Sequence, residues 1–139
     1  MNIFFKAVLV GTLVSLAACQ DANTPAPEAN LMIMLTKASD GANDASFIEV
    51  SGDENCAQRV KAARAVFPAA NIEYVAHYCV YSPFRFEAFA HGSAPTGPAH
   101  RYQLHLSKNA KALKSVKPVA NCQPTKTKIC VTSQQSLIE

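Results

Sequence analysis

Several local patterns that would identify an enzyme are absent from this sequence of 139 residues. It contains no G-x-S-x-G motif, no H-E-x-x-H motif and no C-x-x-C pair. The short signatures of a serine hydrolase, a zinc protease and a compact metal or redox pair are therefore missing. Tryptophan is also absent, and the aromatic residues are all Phe and Tyr. We expect no enzymatic activity and no cofactor.

Long hydrophobic runs are lacking as well. The N-terminal apolar run covers residues 7–16, which is too short for the roughly 20 helical residues that cross a hydrocarbon core. Lys6 precedes the run, and the small residues Ala17 and Ala18 follow it. A positive start, a short apolar stretch and small residues before a cut are typical of a secretory signal peptide.

The residue after this cut is Cys19, and the stretch Leu16-Ala17-Ala18-Cys19 resembles the lipobox of bacterial prolipoproteins. The resemblance implies a diacylglycerol on the Cys19 sulfur, cleavage before Cys19 and acylation of the new amino group. About three acyl chains would hold the protein permanently on a lipid bilayer. The alternative is an ordinary secretory signal, or an anchor helix, that happens to contain a cysteine.

The lipoprotein interpretation also predicts the localisation of the protein and the organisation of its chain into segments. Gln20 follows Cys19, and in this class an Asp at that place tends to retain the protein in the inner membrane, so we expect the outer membrane, facing the periplasm. The inner membrane and the cell surface stay open. The expected division is a signal peptide at 1–18, a polar tether at 19–30, one globular domain at 31–132 and a loose C-terminus at 133–139.

Four cysteines remain in the exported chain, and an even number in a small exported protein indicates disulfides. Among the three possible pairings we predict Cys56–Cys79 and Cys122–Cys130. The alternative, a zinc or redox site, is disfavoured because the spacings of the cysteines do not fit a metal knuckle.

The hydrophobic pattern predicts an α+β fold: a small, mainly antiparallel sheet of four to five strands with one packed helix at about 52–67. Ser51 and Glu54 form a capping-box pattern before that helix, and Pro68 ends it. Ser107 is expected to cap a second, short helix near the C-terminus. Strands are expected at 31–35, 46–50, 72–80, 84–90 and 101–106, the last two as a long hairpin, with an edge strand at 129–132.

The predicted helix at 52–67 has its apolar residues on one side. Cys56, Val60, Ala63 and Phe67 follow the spacing i, i+4, i+7, i+11, which places them on one face. Cys56 then lies against the sheet, where the strand at 72–80 brings Cys79.

The histidines are the candidate metal ligands of this chain. His77 and Cys79 are two residues apart, so they share one face of a strand and together could bind copper or zinc. Because Cys79 is assigned to a disulfide, we expect no metal, and we expect the histidines to be surface or half-buried side chains.

Charge is divided unevenly along the chain. Five basic and nine acidic residues give residues 19–100 a net charge of −4, whereas seven basic and one acidic residue give residues 101–139 a net charge of +6. On the predicted C-terminal helix, four lysines recur every third residue: Lys108, Lys111, Lys114 and Lys117. In an envelope protein such a surface points to lipid headgroups, lipopolysaccharide phosphates or an acidic protein, and not to nucleic acid. The alternative is a solvated helix face.

A second candidate contact is the loop 91–100, which contains two Gly and two Pro. Phe89 precedes it on the polar side of its predicted strand, so an exposed phenylalanine would lie beside a pliable loop. The alternative is a sheet covered on both faces. The candidate binding surface is therefore Phe89, His91, His100, Lys108, Lys111, Lys114 and Lys117.

These observations predict a membrane-anchored, non-catalytic binding or assembly module for an envelope protein partner. The alternative is an inhibitor or immunity-type lipoprotein that blocks a periplasmic or incoming enzyme, with the loop 91–100 as its plug.

Overall fold

The computed structural model describes residues 25–90 and 99–139. The signal peptide, the first half of the tether with Cys19, and His91 lie outside the described residues. In chain order the elements are β1 (Leu31–Lys37), β2 (Asn43–Glu49), α1 (Asp53–Val66), β3 (Tyr74–Val80), β4 (Arg85–Phe86), β5 (His100–Leu106), β6 (Leu113–Pro118), β7 (Lys128–Ser133) and β8 (Leu137–Ile138).

Six strands form one mixed sheet in the order β3-β1-β2-β7-β5-β6, and β4 pairs with β8 in a second sheet of two strands. Within the main sheet the β2–β7 pair is parallel, with Asp44 opposite Thr132. The other neighbours are antiparallel. The pairing of β1 with β2 follows directly from the short connection between them.

The two outer strands of this sheet meet at one point. The N–H of Tyr81, just after β3, donates to the carbonyl of Lys111 at 2.9 Å, and the N–H of Leu113, at the start of β6, donates to the carbonyl of Tyr81 at 2.9 Å. This parallel bridge between Tyr81 and Ala112 curls the sheet into a barrel. Beyond it, among the described residues, β3 and β6 do not pair.

The barrel interior is the main hydrophobic core. Alternate residues of the strands point inward, because side chains change face at every residue of a strand. At one end, Phe86 of β4 stacks on Phe47 of β2 with ring centroids 3.7 Å apart. The buried interior residues are Leu31, Ile33, Leu35, Ala45, Phe47, Val80, Phe86, Tyr102, Leu104, Leu106, Leu113, Val116 and Val131.

Helix α1 covers the outer face of β1. Met32 and Met34 point away from the barrel interior and are buried against Cys56 and Val60 of the helix, which confirms the apolar face predicted for it. The run Leu31–Leu35 is therefore buried on both sides, as its unbroken hydrophobicity requires. The capping-box prediction is wrong: Gly52 is the N-cap residue, with φ at 107°, and no side chain caps the helix.

The two predicted disulfides are present. Cys56–Cys79 joins the first turn of α1 to β3 across a sequence separation of 23 residues, and Cys122–Cys130 joins the loop after β6 to β7 across 8 residues. The first bond pins the helix against the sheet, and the second holds the loop from 119 to 127 close to β7.

The predicted fold class is wrong in two respects. The main sheet has six strands and is mixed, where four to five mainly antiparallel strands were expected. The predicted C-terminal helix is also wrong, because Ser107 organises a turn: its hydroxyl accepts from the N–H groups of Lys111 and Ala112 at 3.2 and 3.0 Å. Ala110 then has φ at 55°, a left-handed conformation that ends any right-handed helix. The chain continues as β6.

Three further expectations about the strands and the C-terminus are corrected. The segment 84–90 does not form a hairpin with β5, because β4 has two residues and pairs with β8. The strand predicted at 129–132 is not an edge strand, since β7 lies between β2 and β5. The C-terminus is not loose: Ser133 and Gln135 are buried, and β8 follows them.

Candidate functional site: a basic sheet face

The outer surface of β5, β6 and β7 carries a cluster of positive side chains. Gln103 lies between Lys117 on one side and Cys130 on the other, and His105 lies between Ser115 and Lys128. Arg101, opposite Thr132, extends the same face. Because Tyr102 and Leu104 point into the core, these alternating residues point outward. We call Arg101, Gln103, His105, Lys117 and Lys128 the basic face.

The positive charges of the basic face form no ion pair with the described residues. Arg101, Lys117 and Lys128 are exposed, and between residues 101 and 139 the one acidic residue is Glu139. Within the described part of the chain the one ion pair joins Arg85 to Glu49 at 3.3 Å, outside this face. The basic face therefore presents unneutralised positive charge to solvent, which attracts a negatively charged partner.

The two walls of the barrel differ in what covers them. Helix α1 packs on β1 and β3 and buries their outer side chains. Over β5, β6 and β7 no element formed by residues 25–90 and 99–139 makes an equivalent contact. One wall is thus a buried interface within the molecule, and the other is a polar sheet surface open to a partner.

A groove of about 440 Å³ continues the basic face toward the β1–β2 connection. Lys37 and Arg101 bring positive charge to it, and Asn43, Asn121 and Thr132 add polar groups. The Arg101 guanidinium donates from Nη1 to the carbonyl of Ala120 at 2.8 Å, which fixes its direction. A carboxylate from a partner would find donors from three segments of the chain here.

The acidic residue Asp44 lies beside this groove. The Thr132 hydroxyl donates to Asp44 Oδ1 at 3.4 Å. Burial raises the pKa of the Asp44 carboxyl above its ordinary value of 3.8; the bond from Thr132 opposes this rise, and Asp40 adds to it.

The lysines predicted from the sequence are present but are differently arranged. Lys108 and Lys111 lie in the loop between β5 and β6, whereas Lys114 and Lys117 lie on β6. All four are exposed. On a helix, lysines three residues apart would have been spread around the helix axis. On strand β6, Lys117 instead lies directly opposite Gln103 of β5.

Sequence reasoning counted Lys128 with the C-terminal lysines but missed the contribution of Arg101 and His105 to the same face. The signal was available in β5, where Tyr102, Leu104 and Leu106 are apolar and alternate with Arg101, Gln103 and His105. That alternation indicates a polar outer face. The pairing of β5 with β7, which adds Lys128, has no comparable local signal.

The remaining candidate residues lie elsewhere. Phe89 is 36% exposed and borders a second groove of about 390 Å³ with Phe86, Arg85 and Ile138. His100 is half-buried: its ring lies near that of Tyr102, with centroids 6.0 Å apart, and its Nε2 is 3.0 Å from the Ser136 hydroxyl. We assign His100 to the packing of the C-terminal segment. His91 lies outside the described residues.

His77 is held in a small cluster on the helix side of β3. Its Nδ1 is 2.6 Å from the Tyr74 hydroxyl, and the Arg64 guanidinium carbon lies 4.1 Å from the centre of the Tyr74 ring. Burial, and secondarily Arg64, lowers the pKa of His77 below its ordinary value of 6.5. Among the described residues no three His, Cys, Asp or Glu side chains converge as metal ligands.

Comparison with known proteins assigns no relative to this chain. No protein-family model, no curated protein and no solved structure matches it. Over the residues that the structure covers, no helix has the length and hydrophobicity needed to cross a membrane.

Proposed function

We propose that this chain is a lipid-anchored envelope protein, attached through Cys19 to the outer membrane and facing the periplasm, whose domain is a non-catalytic binding module. Its partner is an envelope protein with an acidic surface, and the basic face is the contact. The observation that carries this proposal is the outer wall of β5, β6 and β7, where positive side chains converge without forming an ion pair among the described residues.

Electrostatics favours a partner of opposite charge at such a surface. Positive charges from neighbouring strands reinforce one another, and the resulting field steers an acidic protein toward the face. A partner would also bury the neutral centre of the face, Gln103, while its carboxylates pair with Lys117 and Lys128. Charge-assisted hydrogen bonds of this kind are roughly twice as strong as neutral ones.

The tether limits where such a partner can be. Its last residues are fixed to the domain: the Ala29 N–H donates to Asp53 Oδ1 at 3.0 Å, and Asn30 exchanges hydrogen bonds of 2.9 and 2.7 Å with the backbone of Ser82. The residues from 19 to 28 can span a few tens of ångströms at roughly 3 Å per residue. A protein bound to the basic face would therefore lie in the layer next to the membrane.

Site-specific photocrosslinking in the native cell tests the proposal. A photoreactive amino acid replaces Gln103, at the centre of the basic face, in the full-length protein. The matched control places it at Ala62, an exposed residue of α1. We expect one specific adduct with an envelope protein from position 103 and none from position 62.

Charge reversal shows whether such an adduct depends on the basic face. The double substitution Lys117→Glu and Lys128→Glu affects exposed side chains only, so the fold should persist, and the adduct from position 103 should fall by at least ten-fold. The same adduct from both positions, no adduct, or an adduct indifferent to the charge reversal would contradict the proposal.

The inhibitor alternative predicts a different dependence. It assigns binding to the loop 91–100, most of which lies outside the described residues. Deletion of residues 92–99 should abolish binding if that loop is the plug, and should leave the adduct from position 103 in place if the basic face is the contact.

A further inference from the structure

The point where the tether enters the domain lies beside two adjoining grooves. A groove of about 340 Å³ has Asn30, Ser82 and Arg85 in its lining, and Asn30 is held there by its hydrogen bonds to the backbone of Ser82. The second groove, of about 390 Å³, adjoins it, because Arg85 and Glu49 line both. The tether therefore leaves the barrel at the end that carries these two grooves.

Hydrophobic side chains are exposed along the second groove. Phe86, stacked on Phe47 with ring centroids 3.7 Å apart, lies at its buried side. Phe89 and Ile138 line the same groove and are 36% and 47% exposed. Exposed apolar side chains that lie together around an apolar depression indicate a contact surface. We call Phe86, Phe89 and Ile138 the apolar end of the barrel.

The charged groups around the apolar end balance one another. The second groove is lined by two arginines, Arg59 and Arg85, and two glutamates, Glu49 and Glu87. Arg85 donates from Nε to Glu49 Oε1 at 3.3 Å, and Glu87 Oε2 accepts from the Ser136 N–H at 3.1 Å. A partner is therefore held here by apolar contact and not, as on the basic face, by net charge.

We propose that the apolar end lies on the lipid bilayer that holds the chain's own anchor, with Phe89 and Ile138 inserted at the boundary between headgroups and acyl chains. This proposal rests on the anchoring at Cys19 proposed above. It orients the barrel with β4 and β8 toward the membrane. The basic face, on the side wall formed by β5, β6 and β7, then stays open to a protein in the same layer.

The tether keeps this end of the barrel close to the bilayer. Its last residues are bonded to the domain at Asp53 and Ser82, so the residues from 19 to 28 bridge the distance to the membrane, at roughly 3 Å per residue. A surface that is linked so closely to a bilayer meets it at a high effective concentration. A weak apolar contact is then sufficient, because the acyl chains already supply the affinity.

The size of the apolar end favours lipid over a protein partner. A stable protein–protein interface buries roughly 1,200–2,000 Å² of surface in total. The exposed large hydrophobic side chains that line the second groove are those of Phe89 and Ile138, which are too few for such an interface. One aromatic and one aliphatic side chain can instead leave water by entering the interfacial layer of a bilayer that is already attached.

The absence of tryptophan from the sequence makes a single introduced tryptophan the reporter of depth in the bilayer. The full-length lipidated protein with Phe89→Trp is reconstituted in vesicles of phosphatidylcholine with brominated acyl chains, which quench a tryptophan inserted among them. These lipids have no net charge, so they do not attract the basic face. Because the apolar end enters the boundary layer, we expect about two-fold lower fluorescence than in unbrominated vesicles, at low and at high salt.

Val66→Trp is the matched control. Val66 is 60% exposed and lies at the other end of α1 from Asp53, roughly 20 Å away along the helix axis, so its fluorescence should be the same in both vesicles. Adding Ile138→Asp to the Phe89→Trp variant should about halve the quenching, because a charged side chain is costly below the headgroups. Ile72→Asp, at a residue 40% exposed before β3, should leave the quenching unchanged.

Flotation of the vesicles separates this proposal from the proposed anchoring. Protein that floats with the vesicles but shows no quenching at position 89, equal quenching at positions 89 and 66, or quenching indifferent to Ile138→Asp would overturn the bilayer contact and leave the anchor in place. Protein that does not float with the vesicles would overturn both.

Discussion

The side-chain amide of Gln135 pairs with the backbone of Phe47 as a strand would. Its Oε1 accepts from the Phe47 N–H at 2.7 Å, and its Nε2 donates to the Phe47 carbonyl at 2.7 Å. The parallel contact between β2 and β7 is confined to Asp44 and Thr132, so Phe47 lies beyond it. The Gln135 side chain thereby provides hydrogen-bond partners for the Phe47 N–H and C=O, which the short parallel pairing of β2 with β7 does not reach.

Replacing this glutamine should be strongly destabilising. Gln135→Ala leaves the Phe47 N–H and C=O without partners and also removes the bond from Nε2 to the Glu87 carbonyl, which is 2.7 Å long. At about 1–3 kcal/mol for each buried unsatisfied group, we expect the free energy of unfolding to fall by about 3 kcal/mol. Urea titration measures it. Gln134→Ala, at an exposed neighbour, should change it by less than about 0.5 kcal/mol. Equal effects of the two substitutions would contradict this role.

The disulfides should differ in their contribution to stability. Cys56–Cys79 closes the longer segment, 23 residues against 8 for Cys122–Cys130. On the loop-closure model their removal costs about 3.4 and about 2.5 kcal/mol. Cys56 is also fully buried, which adds a packing loss. We expect Cys56→Ala/Cys79→Ala to lower the urea midpoint more than Cys122→Ala/Cys130→Ala. The reverse order would show that the bond to α1 does not constrain the fold as described.

Gly52 should resist substitution for two separate reasons. Its φ is 107°, and a Cβ there would lie 3.0 Å from Glu28 Oε2. Gly41, with φ at 84°, shares the backbone strain but has nothing within 4 Å of a Cβ, so it is the matched control. Gly41→Ala should cost about 1 kcal/mol through the backbone alone, and Gly52→Ala should cost more. Adding Glu28→Ala to the Gly52→Ala variant should remove this additional loss of stability. If the additional loss remains, crowding against Glu28 is not its cause.

His77 should make the domain less stable in mild acid. Its pKa in the folded protein is below the ordinary 6.5 because burial, and then Arg64, disfavours the charged ring. The unfolded chain therefore binds the proton more readily, and stability falls as the pH drops from about 6.5 through the lower folded value. The difference in unfolding free energy between wild type and His77→Gln, followed from pH 7.5 to 5, should shrink toward low pH. A constant difference would contradict this.

Arg64 provides the control for that pH dependence. Arg64→Gln removes the secondary cause but leaves the burial of the ring, so the pH-dependent difference should become smaller without vanishing. If it is unchanged, the charge of Arg64 does not act on His77.

The parts of the fold that were predictable from the sequence depend on local patterns. The apolar face of α1 follows from its spacing, and the position of Cys56 in its first turn indicated the bond to Cys79. The first two strands and their antiparallel pairing followed from an apolar run and a turn-rich connection.

The parts that were not predictable depend on contacts between distant segments. Nothing near Gln135 in the sequence indicates that its amide would pair with Phe47, 88 residues away. The parallel placement of β7 beside β2 is equally remote. The lysine spacing at 108–117 was misleading, because turn chemistry at Ser107 and the positive φ of Ala110 override the helical propensity of lysine and alanine.

Anchoring at Cys19 is the premise of the proposed function, and mass spectrometry of the N-terminal peptide tests it most directly. The protein is purified with detergent from the membranes of its native cell. We expect a chain that begins at Cys19, carries a diacylglyceryl group on sulfur and is acylated on its amino group. A chain that still begins at Met1, or a Cys19 with an unmodified thiol, would contradict it.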